Sequence, residues 1–165
     1  MAYELIETIE VTNATTTDLV FTSIPQDGVD LKLVVSARNS DSAPGVVLIT
    51  LNNDSGSNYS QEDLEGNGGS VSSNSSTQGY FRLRMTDSGD TANTFGSGQA
   101  YISNYTSSSN KSISCDRVTE NNASTAYQRI EAVSYSTSSA ISSIEIDFLG
   151  DNFAQYTTAS LYKIY

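Results

Sequence analysis

Apolar and polar side chains change places at every step along several stretches of this chain. In "DLKLVVSAR", Leu31, Leu33, Val35 and Ala37 fall on one side. Asp30, Lys32, Ser36 and Arg38 fall on the other, with Val34 the exception. "YFRLRMTD" sets Phe81, Leu83 and Met85 against Arg82 and Arg84, and "SIEIDFL" sets Ile144, Ile146 and Phe148 against Glu145 and Asp147. A period of two belongs to a pleated strand with one buried face, not to a helix, whose faces repeat every ~3.6 residues. Sheets with one wet face are characteristically antiparallel.

Further strands are expected at Glu4 to Val11, Asp18 to Ile24, Val46 to Asn52, Ala100 to Thr106, Ser112 to Val118, Tyr127 to Tyr135 and Thr158 to Tyr165. "GVVLITLN" is almost continuously apolar, which suits a strand covered on both faces. The best helical candidate, "AYELIETIEV", also carries Ile9 and Val11 at strand spacing, so it reads as a strand with room for a helical turn. Turn chemistry separates these runs: Pro25 with Asp27-Gly28, Pro44-Gly45, "NNDSGSN" and "LGDN". The longest breaks are expected from Glu65 to Gly79 and from Thr86 to Gly98. About ten short strands joined by polar loops, without crossover helices, indicate an all-β sandwich or barrel, here as one domain over residues 1–165.

Composition limits the partners. A formal charge of -11 and a pI near 4.1 repel phosphate backbones and anionic bilayers, so neither nucleic acid nor membrane is expected as a partner. The chain has 37% hydrophobic residues, but its 10 Tyr and 5 Phe recur inside the alternating runs, which argues against disorder. The single cysteine, Cys115, sits in the alternating run "SISCDRV" and reads as a small strand residue without an internal disulfide partner. The start "MAYELIETIEV" lacks a basic segment followed by an apolar one, so synthesis and use in a cytoplasm without classical export are expected.

Chemistry has little to work with. With no histidine, His-based triads and His metal ligands are excluded, and one cysteine cannot build a structural zinc site. Carboxylates that could serve glycoside hydrolysis are Glu62 with Asp63 and Glu65, or Asp87 with Asp90, all placed in polar segments where solvated loop charge is the simpler reading. "NNDSGSN" and "TDSGDTAN" are oxygen-rich but carry few carboxylates for calcium, and turns favour the same residues. Asn58, Asn104 and Asn122 open N-x-S/T triplets, which a chain rich in Asn, Ser and Thr produces by chance. No cofactor and no metal are expected. Tyrosines inside alternating runs are first core edges, then interface anchors, then sugar-stacking platforms.

The stretches "MAYELIETIEV", "FTSIPQ" leading into "DLKLVVSAR", "LNNDSGSNYS", "NYTSSSNKSIS", "ENNASTAYQ" and "QYTTASLYKIY" together, in that order, resemble small jelly-roll virion proteins of tailed bacteriophages. The likeness covers most of the chain, excluding the stretch from Glu65 to Gly79. It implies a jelly-roll-like antiparallel β-sandwich on the virion surface, as a capsid decoration (cement) or head-fibre protein or part of a tail fibre. No catalytic residue is carried over. The expected function is a non-enzymatic structural module that forms homo-oligomers, a trimer being one symmetry, and contacts other virion proteins such as the major capsid protein.

The closing "TTASLYKIY" is expected to be a full strand near the middle of a sheet or under a neighbouring subunit, with the N-terminal strand close by. Leu161, Tyr162, Ile164 and Tyr165, with Leu5, Ile6 and Ile9, are the expected interface residues. The alternative is a receptor-binding module for host surface glycans, with Tyr59 and Tyr80 at the margins of a shallow site.

Overall fold

The computed structural model describes residues 2–41, 45–120 and 126–165. The strands are β1 (Tyr3–Glu10), β2 (Asp18–Phe21), β3 (Asp30–Ala37), β4 (Val46–Leu51), β5 (Tyr59–Gly66) and β6 (Val71–Gln78). They continue as β7 (Phe81–Arg84), β8 (Gly96–Ile102), β9 (Lys111–Thr119), β10 (Tyr127–Tyr135), β11 (Ile144–Asp147) and β12 (Thr158–Ile164). One sheet has eight strands in the order β1-β12-β3-β8-β9-β10-β5-β6, and the other has four in the order β2-β11-β4-β7. Every strand pair is antiparallel. The protein is therefore an all-β sandwich, and the chain passes back and forth between its two layers.

The alternating runs build the seam between the layers. Leu31, Leu33, Val35 and Ala37 of β3 are fully buried, as are Phe81 and Leu83 of β7 and Ile144 and Ile146 of β11. They belong to one continuous apolar cluster. Burying each large apolar side chain contributes about 1.5–3 kcal/mol, so this single seam drives folding. In β4, Val47, Leu48 and Ile49 are buried in succession, as a run covered on both faces requires.

The last strand lies one place in from the edge, between β3 and β1. Leu161 stands opposite Leu33 on one side and Glu7 on the other. A register shift between Leu5 and Glu7 puts Ile6 out of step. It keeps Leu5 beside Tyr162 on the outer face, while Ile6 and Ile9 pack against the core. The two ends of the chain meet where the Tyr165 amide donates to the Ala2 carbonyl at 3.2 Å.

Two expectations about loops are corrected. Residues 65–79 are not one long break: β5 and β6 form a hairpin in register from Tyr59↔Gln78 to Gly66↔Val71. β6 is exposed along most of its length, so it has no apolar face to announce it. In β5 the inward positions are Gln61 and Asp63, while Leu64 points out, which inverts the usual pattern. Likewise β8 starts at Gly96 rather than Ala100. A Cβ on Gly96 would lie 2.7 Å from the Met85 Cα, so glycine is what lets these backbones approach.

Candidate functional site

The eight-stranded sheet is wider than its partner, and β7 ends the smaller sheet. Beside that edge lie the inward residues of β9, β10 and β5, and they are charged. Arg117, Arg129, Glu131 and Asp63 are all buried. Antiparallel register sets Arg129 opposite Glu65 on β5 and opposite Arg117 on β9. The Arg129 guanidinium donates to Asp63 at 2.5 Å and to Glu131 at 3.3 Å, and stands 3.8 Å from Glu65. Arg117 donates to Glu65 at 3.3 Å.

On β7, Phe81 and Leu83 enter the core, and Arg82 and Arg84 alternate away from it. Arg84 lies 4.1 Å from the centre of the Tyr127 ring, a cation–π contact. Val46, Glu65, Asn74, Arg82, Arg84, Arg117 and Arg129 together line an open cleft of about 250 Å³. Four of the chain's five arginines thus meet in one place.

Burial sets the electrostatics. Desolvation, with the neighbouring Arg129 charge second, brings the Arg117 guanidinium down to about 10, so it remains a cation at neutral pH. Burial raises Glu131, and the Arg129 and Arg117 charges oppose that rise. Among the described residues the hydrogen bonding is incomplete: Arg117 Nε and Nη1, Arg129 Nε, Arg82 Nε and Glu131 Oε2 are buried without partners.

The second feature is the outer face of the larger sheet. At one end Tyr3, Leu5, Tyr162 and Val34 form an apolar strip, with Tyr3 and Leu5 more than half exposed (54% and 52%). Lys32 lies across it, 5.8 Å from the Tyr3 ring centre. At the other end Leu64 pairs with Ile130 across β5 and β10, and Val71 and Val118 stand nearby. All four of these are exposed. Gln99 and Asp116 lie between the strips, hydrogen-bonded at 2.6 Å.

The residues expected to form an interface divide in three. Leu5, Tyr162 and Tyr165 reach the surface. Ile6 and Ile9 are partly buried against the core. Leu161 and Ile164 are corrected as interface residues: they are buried within this chain (0% and 1% exposed) and keep no surface for a neighbour.

The expectation for Tyr59 is also corrected. Its ring is fully buried, stacked on Tyr135 with centres 4.7 Å apart, and its hydroxyl accepts from the Leu51 amide at 2.8 Å. Tyr80 is half-buried, and its carbonyl accepts from Gln61. Tyr59 and Tyr80 therefore do not form a shallow sugar platform.

The candidate carboxylates separate. Glu62 points outward, whereas Asp63 and Glu65 face the arginines. Asp87 and Asp90 brace their own turn, where Asp90 accepts from the Asp87 amide at 2.9 Å and Asp87 from the Gly89 amide at 2.8 Å. In "NNDSGSN", Asp54 accepts from the Gly56 amide, Asn58 and the Tyr135 hydroxyl, so its oxygens are bonded within the protein. Among the described residues no three potential ligands cluster as a metal site. Asn122 lies outside the described residues. Cys115 is buried without a disulfide, and burial raises its thiol.

The arginine cluster escaped the sequence reading. Its members lie in three separate alternating runs, "FRLR", "CDRV" and "QRIE", and only the strand order brings them together. Their polar register positions were the available signal.

No protein-family model matches this chain, and no curated protein matches it. Among solved structures it is similar to a crystal structure of a protein of unknown function, SO2946, from Shewanella oneidensis MR-1. The identity is 10%, the TM-score is 0.28, and the match covers 98% of this chain and 75% of the other. A likeness at that level carries no argument about fold or function.

Proposed function

We propose that this chain is a non-enzymatic structural module that assembles head-to-tail with copies of itself through the outer face of its eight-stranded sheet. The setting is the one its resemblance to phage virion proteins implies, on a particle surface beside capsid or fibre subunits. The observation that carries the reading is the pair of unlike apolar strips at opposite ends of one face: Tyr3, Leu5, Val34 and Tyr162, and Leu64, Val71, Val118 and Ile130. Apolar surface of this kind, rimmed by polar residues, marks interaction sites. Two unlike strips on one subunit suit a heterologous contact, which closes into a ring when the rotation allows. The candidate carboxylates are taken up within the chain, Asp63 and Glu65 by arginines and Asp87 and Asp90 by their own turn, which supports a role without catalysis.

Sedimentation velocity on the purified chain tests this. The wild type is expected to form a discrete oligomer. Leu5→Glu and Ile130→Glu, each an exposed site whose change leaves the core intact, are each expected to yield monomers. A wild type that stays monomeric at high concentration would contradict the reading.

A further inference from the structure

The cleft beside β7 gathers four arginines. Arg82, Arg84, Arg117 and Arg129 meet Asp63, Glu65 and Glu131 there, so four guanidinium groups face three carboxylates. One positive charge is left over, in a chain whose formal charge is -11. Arg117 has a side chain only 3% exposed, yet its Nε and Nη1 find no acceptor among the described residues. A buried unpaired donor on a charged group is costly, more so than on a neutral one. A structural ion-pair network would have closed these donors on carboxylates, and here only Arg117 Nη2 is engaged, on Glu65. Arg117 lines the cleft, with these spare donors buried just beneath its surface.

The size and charge of that space narrow the ligand. A single excess positive charge matches a monoanion, and the planar guanidinium fork matches the two oxygens of a carboxylate. A volume of about 250 Å³ admits one ring-sized group. From β6, Asn74 lines the cleft; its amide nitrogen donates to Asp63 at 3.3 Å, and its amide group suits a sugar hydroxyl. We propose that this cleft binds the carboxylate of an acidic saccharide, with Arg117 and Arg84 holding the carboxylate and Asn74 the ring hydroxyls. This site lies on strand faces away from both apolar strips, so it stands or falls independently of self-association.

The test is isothermal titration calorimetry on the full chain in low-chloride buffer, with sodium D-glucuronate, D-glucose, L-glutamate and inorganic phosphate as probes. Glucuronate is expected to bind saturably and glucose not at all. Arg84→Gln is expected to weaken glucuronate binding by about tenfold, the effect of losing one charge-assisted hydrogen bond. Because that arginine also packs on Tyr127, a wild-type readout is needed as well: the Arg117 Nε–H resonance should shift on adding glucuronate and not on adding glucose. No saturable glucuronate binding, or an unmoved Arg117 resonance, would overturn the proposal. Equal or tighter binding of glutamate or phosphate would overturn the saccharide assignment.

Discussion

At the scale of single residues, polar atoms buried inside the sandwich hold its loops to its strands. Tyr59 was expected at the margin of a shallow site, and its buried hydroxyl, whose partner is the Leu51 amide, was not legible. Tyr59→Phe keeps the ring and leaves that amide unpaired, so chemical denaturation should show a loss of about 1–3 kcal/mol. Asp54 makes a second tie nearer the surface. Hydrogen bonds from Asn58 first, then from the Gly56 amide and Tyr135, hold its carboxyl below the usual 3.8. A lowered folded value means that its contribution is fully present above pH ~4 and is lost as the pH falls through the folded value. Between about pH 5 and about pH 2.5 the melting temperature should therefore fall more steeply in the wild type than in Asp54→Asn. Sequence reading placed Asp54 in a turn, as found. Which donors reach it depends on Tyr135, which is distant in the chain.

At the scale of elements, strands were legible wherever an apolar face met the core. Tyr127–Tyr135 is found at the boundaries expected, and β3, β7 and β11 fill the seam with the residues their alternation marked. The β5–β6 hairpin was not legible, because its buried face is made of Gln61, Asp63 and the tyrosine at its start, and β6 buries almost nothing. A strand held mainly by one neighbour and open to water on both faces opens easily. Hydrogen exchange should find the β6 amides among the fastest of any strand, and those of β9 and β10, inside the sheet, among the slowest. Gly96→Ala drives a Cβ to within 2.7 Å of the Met85 backbone and should cost about 1–3 kcal/mol, read from the melting temperature. Truncation after Ala159 removes most of β12 and leaves β1 without its partner strand, so loss of the folded state by circular dichroism is expected.

At the scale of the whole molecule, a strongly acidic body carries two apolar strips on one broad face. The net charge of -11 opposes association between copies, and salt screens that repulsion beyond about 10 Å at 0.1 M. Self-association should therefore strengthen between about 50 mM and about 500 mM sodium chloride, unlike an interface dominated by ion pairs. Alternation gave the all-β class but left sandwich and barrel open, and the two-sheet order decides for the sandwich. Of the first strip, Leu5 and Tyr162 were legible as interface residues; the second strip was not, since Leu64 and Ile130 become neighbours only through the β5–β10 register. The most direct measurement mixes equal amounts of the Leu5→Glu and Ile130→Glu chains and weighs the product by sedimentation equilibrium. Each chain retains the strip the other has lost, so a head-to-tail contact gives a heterodimer that grows no further. A mixture that remains monomeric, or a Leu5→Glu chain that assembles like the wild type by itself, would contradict it.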